Sequence, residues 1–170
     1  MPKPDLQTLP QHLHEEISLV PQDDLIEAFA QRFDALAFLK TIDDEKWMYA
    51  YAKDKWTIKG VVQHLIDAER ILCNRALVIA RRDTNQPLLS FEEKDYALYA
   101  YADKRTKEHL MSEFSAVQQS SKKLFESFND DHLQNKGTVN NYTIDPNALG
   151  FVILGHTLHH IKLIKERYLV

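Results

Sequence analysis

"TIKGVVQHLIDAERILCNRALVIAR", Thr57 to Arg81, reads as one long amphipathic helix, and the fold follows from it. Thr57 suits the N-cap, where a side-chain oxygen accepts from a free backbone N–H of the first turn. Val61, Leu65, Ala68, Leu72, Ala76 and Ile79 then recur at helical spacing and make a buried stripe. Two polar residues sit on that stripe, His64 and Arg75. A helix with one apolar face must bury it against other elements.

Three further helices supply them. "DPNALGFVILGHTLHHIKLIK" (145–165) opens with Asp145 as N-cap and Pro146 at the first helical position, and it runs almost to the C-terminus. After "VPQDD", Asp24 caps a helix carrying Leu25, Phe29, Phe33 and Leu36 and ending near Lys40, with Glu27 placed as in a capping box. Residues from Lys104 to Asn129 carry Leu110, Phe114, Val117, Leu124 and Phe128, a stripe interrupted by Ser121. Only four glycines occur, and no internal repeat is evident. The expected fold is therefore all-α, a four-helix bundle in a single domain spanning 1–170, with residues 1–22 as a Pro-punctuated N-terminal arm. The connection from about Arg82 to Asp103 is longer than a helical hairpin needs, and loops of this length often cover something; "FEEKDYALYAYA" inside it suits a short helix. "DDEKWMYAYAKDK" and "GTVNNYTI" read as irregular, with room for a short strand in the second.

Composition narrows the function. The chain has 170 residues, 44% hydrophobic and 27% charged, which suits a globular domain. No apolar run reaches the roughly 20 residues of a membrane span. "MPKPDLQTLPQ" lacks a basic-then-apolar leader pattern, so a cytoplasmic location and no membrane partner are expected. Net charge is −4 and the basic residues are dispersed, so nucleic acid is not an expected partner. Cys73 is the only cysteine, which excludes an intrachain disulfide and thiolate-cluster metal sites.

The histidines are the informative residues. His156 and His160 lie about 40° apart on the last helix, one turn along, on the face shared by Leu149, Val152, Ile153, Leu163 and Ile164. Two imidazoles spaced this way can converge on one ion, and His64 is the candidate third ligand. His159 sits at the edge of the face; His12, His14, His109 and His132 lie in weaker contexts. The competing reading is a packed or surface cluster without an ion. Neither H-E-x-x-H nor paired E-x-x-H is present. A three-histidine site leaves a coordination position open, and its uncompensated 2+ charge favours an anion such as hydroxide or a thiolate.

"KWTIKGVVQHLIDAERIL", "LSFEEKDYA" and "GHTLHHIKLIKERYL", with "ISLVP" ahead of the first helix, resemble the DinB-like metalloprotein superfamily in order and spacing. The resemblance covers nearly the whole chain. It implies an up-down-down-up four-helix bundle with a long crossover, often dimeric. It implies a divalent metal, zinc or nickel being the expected ion, held by His64, His156 and His160, with His159 outside the ligand set. Members of the family include hydrolases and transferases or isomerases that use a low-molecular-weight thiol such as bacillithiol or mycothiol.

Three other features bear on a site. An arginine on a buried stripe needs an anion, so Arg75 either pairs with a neighbouring helix or clamps a carboxylate of a substrate or cofactor. Asp67 reads either as an acceptor for an imidazole N–H or as a solvated face residue. Tyr96, Tyr99 and Tyr101 in the crossover either shape a pocket or simply pack. The last helix also has a second apolar face, Phe151, Leu154, Leu158 and Ile161, expected to meet a partner subunit in a homodimer or the N-terminal arm. The expected function is a metal-dependent enzyme acting on a small molecule, a hydrolase or thiol-dependent transferase, with a non-enzymatic metal-binding or stress-response protein as the alternative. No catalytic base is identified.

Overall fold

The computed structural model of the protein describes residues 1–85 and 87–170. Eight α-helices occur among them: α1 His14–Leu19, α2 Leu25–Ala30, α3 Ala35–Lys40, α4 Ile58–Ala80, α5 Glu93–Tyr99, α6 Lys107–Glu126, α7 Asp130–Gln134 and α8 Pro146–Leu163. The chain closes in a π-helical turn, Ile164–Tyr168. A hairpin of β1 (Gly137–Val139) and β2 (Tyr142–Ile144) precedes α8. Its two-residue turn starts at Asn140, whose φ of 51° is a conformation Asn tolerates. No described helix is long and apolar enough to cross a membrane.

The expected four-helix bundle is present, formed by α2 with α3, α4, α6 and α8, and side-chain bonds fix the helix directions. Thr57 donates to Asp103, Arg70 pairs with Glu113 and Cys73 donates to Ser121, so α4 and α6 run parallel, as only a long crossover permits. Tyr168 donates to the Trp56 carbonyl while His64 meets His156, so α8 runs antiparallel to α4. Lys107 donates to Ile42 O and Phe125 stacks on Phe29, which sets α2 and α3 antiparallel to α6. The order is up, down, down, up.

The caps act as the sequence suggests. Thr57 accepts from Gly60 N–H and Asp145 from Ala148 N–H. Asp24 accepts from Ile26 and Glu27 N–H, but Glu27 does not complete the capping box: its carboxylate accepts from Gln31 instead. The third bundle helix starts at Lys107 with Thr106 as cap, because Lys104 ends a separate short turn. Ser121 does not break it; the hydroxyl donates back to Val117 O within the helix.

One expectation needs correction. The continuous helix from Asp24 to Lys40 is two helices. Residues 31–34 break it, and Asp34 restarts it by accepting from Ala37 N–H. The break turns Phe33 outward, leaving it 38% exposed, and Arg32 inward. The N-terminal arm contains a helix, α1. Leu13, Ile17 and Val20 join the apolar core that holds Phe151 and Leu154. A Cβ at Gly155 would lie 1.9 Å from the Glu16 carbonyl oxygen, so α1 and α8 touch backbone to backbone and glycine is required there. The arm thus covers Phe151 and Leu154 on the second face of α8, while Ile161 joins the other core.

Two apolar cores fill the bundle. One gathers Leu25, Phe29, Leu72, Ala76, Phe125 and Leu149; the other gathers Ala35, Leu39, Val61, Leu65, Phe114 and Ile161. Each bundle helix is polar where it passes from one to the other: Arg32, Glu69, Cys73 with Ser121, and the segment 156–160. This polar layer contains the site.

Candidate metal centre

His64 projects from α4 and His156 and His160 from successive turns of α8. Nε2 of His156 lies 3.1 Å from Nε2 of His64 and 3.2 Å from Nε2 of His160. One ligand atom from each residue falls within 4.8 Å of the others, the only such histidine, cysteine or carboxylate group among the described residues. Two nitrogens bound about 2.0–2.1 Å from one ion at near-tetrahedral angles are themselves roughly 3.3 Å apart. The observed separations therefore fit three ligands of one cation.

Electrostatics prepare the same end. Burial lowers the pKa of His64 to about 4. Burial, then the neighbouring His64 and His159, lowers that of His156 to about 3, and His160 is held well below its ordinary value, chiefly by burial. All three are neutral at pH 7, the state in which imidazole binds a metal. The Trp56 ring lies 4.8 Å from the His64 ring and closes that side. His160 Nδ1 is buried with no protein partner among the described residues. Asp67 does not serve it: its carboxylate accepts from Gln63, in a polar group that includes Arg105, Arg70 and Glu113. His159 points away, 3.6 Å from Glu15 of α1.

Beside the cluster, Arg32 grips Glu69 through two bonds of 2.9 and 2.7 Å and reaches Thr157 at 3.1 Å. This buried pair ties the α2–α3 break, α4 and α8 together next to His156. It fixes the spacing of the helices that carry the histidines.

A cavity of about 540 Å³ opens onto His156. Ala68, Leu72, Leu149 and Val152 form its apolar wall, and the crossover and hairpin roof it with Ser90, Phe91, Asn140 and Tyr142. The roof is tied down where Leu88 bridges to Val139 and Ser90 N–H donates to Asn140. Arg75 lies in this wall, 7% exposed, and donates to Leu89 O at 2.6 Å. Of the two readings offered for Arg75, the ion pair with a neighbouring helix is not made among the described residues. Tyr96, Tyr99 and Tyr101 are 45%, 67% and 57% exposed, so they stand outside the core, Tyr96 against the Phe91 ring at 5.1 Å. Tyr96 and Tyr99 line a separate, shallow recess with Gln63 and Asp67.

The residue that sequence reasoning missed is Glu16. It lines the cavity from α1, and burial, reinforced by Glu93 and Glu15, raises its pKa to about 7. A carboxyl group near half-protonation at neutral pH can accept or donate a proton. Its only local signal is its place immediately before the "ISLVP" segment; its position is set by the packing of its backbone on Gly155, far away in sequence.

Comparison with known proteins agrees with this architecture. The model of the DinB superfamily matches residues 26–164. No curated protein matches the chain. Among solved structures, one similar chain is YfiT from Bacillus subtilis, described as a probable metal-dependent hydrolase with an unusual four-helix bundle topology. It shows a TM-score of 0.66 and 19% identity, covering 96% of this chain and 90% of that one. Another is a mycothiol-dependent maleylpyruvate isomerase, with a TM-score of 0.64 and 15% identity over 92% of this chain and 61% of that one. At such identities the likeness is one of fold.

Proposed function

The chain belongs to the DinB superfamily, and on that premise we propose that it is a divalent-metal-dependent enzyme that either hydrolyses a small molecule or transfers a low-molecular-weight thiol to it. The observation that carries this reading is the convergence of three neutral imidazoles, one of which, His156, lines a cavity of small-molecule size. His64, His156 and His160 would hold the ion, zinc or nickel. Such an ion, when bound, supplies Lewis acidity and makes a water or a thiol nucleophilic at neutral pH.

The protein supplies the rest. Arg32, Glu69 and Thr157 hold the three helices in register around the histidines. Leu72, Leu149 and Val152 exclude water from the apolar part of a substrate. Glu16 takes the proton of the nucleophile and returns it to the leaving group, a role its raised pKa suits at neutral pH. The two similar structures, a probable metal-dependent hydrolase and a mycothiol-dependent isomerase, support the two chemistries equally. The reading includes a homodimer, as the family resemblance implies, and a cytoplasmic location.

The test is an ester-and-amide hydrolysis panel run beside a thiol-transfer panel, on protein loaded with zinc or nickel, the same protein after chelation, and Glu16→Gln. Turnover in one panel should vanish on chelation and fall about 100-fold or more in Glu16→Gln. Tight metal binding without turnover in either panel would favour the non-enzymatic metal-binding protein.

A further inference from the structure

We infer that the cavity beside the histidines is built for a monoanionic carboxylate ligand with an apolar body, its carboxylate held by Arg75. The inference deepens the metal-enzyme reading and rests on it only for which end of the ligand reacts. Arg75 is 7% exposed, and its guanidinium offers five N–H groups. Their one protein acceptor among the described residues is Leu89 O. No carboxylate among those residues comes within ion-pair distance of it, although Glu16 and Glu93 line the same cavity. Phe91 lies 6.0 Å from its Cζ and Tyr142 stands nearby as a neutral phenol. A buried guanidinium without a counterion is costly unless an anion completes it.

The ligand's class follows from what surrounds that charge. Arg75 is the one arginine or lysine lining the cavity, and two carboxyl groups line it as well. A phosphate dianion would need several donors or cations, whereas one planar guanidinium matches one carboxylate. Arg75 stands eleven residues after His64 on α4, so roughly 16 Å of helix axis separates their backbones. Between the two ends lie Leu72, Leu149 and Val152. The ligand is therefore elongated, with an apolar stretch between its carboxylate and the group presented to the histidines.

Hexanoate and its neutral counterpart hexanamide test this directly. Binding is measured by calorimetry on the full chain as purified and again after chelation. Hexanoate should bind about tenfold more tightly than hexanamide, a difference of about 1.4 kcal/mol. Chelation should leave that preference in place, and Arg75→Gln should abolish it. Arg75→Lys should keep part of it. Equal binding of the two probes to wild type, binding of neither, or a preference that survives in Arg75→Gln would overturn the inference. So would a preference lost on chelation, since the carboxylate would then be on the ion. The comparison within wild type does not depend on any variant folding. A protein that holds no metal yet discriminates through Arg75 would keep this inference while the metal-enzyme reading fell.

Discussion

Two arginines are drawn largely out of water in this bundle, and they have opposite surroundings. The Arg32 side chain is 11% exposed and meets Glu69 in a bidentate pair with Thr157 beside it. Arg75 is 7% exposed and meets a backbone carbonyl, an aromatic ring and a cavity. The first closes a polar layer and holds helices together. The second stands open at the wall of the site. A buried charge whose partner is inside the protein reports on the fold; one whose partner is missing reports on a ligand.

The largest effect expected from this contrast is on stability. Glu69→Ala leaves Arg32 buried and unpaired, and should cost about 3–5 kcal/mol in denaturant unfolding. A loss below about 1 kcal/mol would mean that the two arginines are alike after all.

Gly155→Ala comes next. The added Cβ must push the α1 backbone away from α8, at a cost of about 1–3 kcal/mol, and it moves Glu16 with it. The variant should lose the Glu16-dependent behaviour described next even where it stays folded. Its carboxyl titration, followed by NMR, should return towards an ordinary glutamate.

The pH dependence of stability has two opposed parts. Glu16 has a pKa of about 7 in the fold against 4.5 as a free side chain, so the folded chain binds more protons between those values. Its contribution to stability is full below pH 4.5 and is lost as pH rises to about 7. The buried histidines act in reverse. With His64 at about 4 and His156 at about 3 against 6.5, the unfolded chain binds more protons below pH 6.5, and stability is lost as pH falls. Glu16→Gln should therefore gain on wild type as pH is raised from 5 to 8, while the acid-side loss stays. An unchanged difference across that range would place Glu16 in water.

The smallest effect is the sharpest contrast with Glu69→Ala. Arg75→Met removes a charge that has no carboxylate partner, so its melting temperature should equal or exceed that of wild type. A drop as large as that of Glu69→Ala would make Arg75 a structural tie to the crossover.

The sequence makes some of this legible and hides the rest for a physical reason. Thr57 and Asp145 cap their helices through bonds to residues three positions on, and the stripes of α4 and α8 repeat every turn. These are local regularities, so the bundle and the three converging histidines can be read from the letters. The break at 31–34 cannot, because Phe33 and Leu36 keep helical spacing and no Pro or Gly marks it. What turns the chain there is the reach of Arg32 to Glu69, 37 residues away. Glu16 is hidden for the same reason: its backbone is seated against a glycine on α8. A six-residue helix such as α1 has too few turns to show a period. The second face of α8 is likewise explained by a distant part of the same chain.

Metal content bears most directly on the central claim. Wild type and His156→Ala would be purified without a nickel column and analysed together by mass spectrometry. The account predicts about one zinc- or nickel-like ion per wild-type chain and its loss in the variant, because the site needs all three imidazoles. No ion in wild type, or the same content in both proteins, would contradict it.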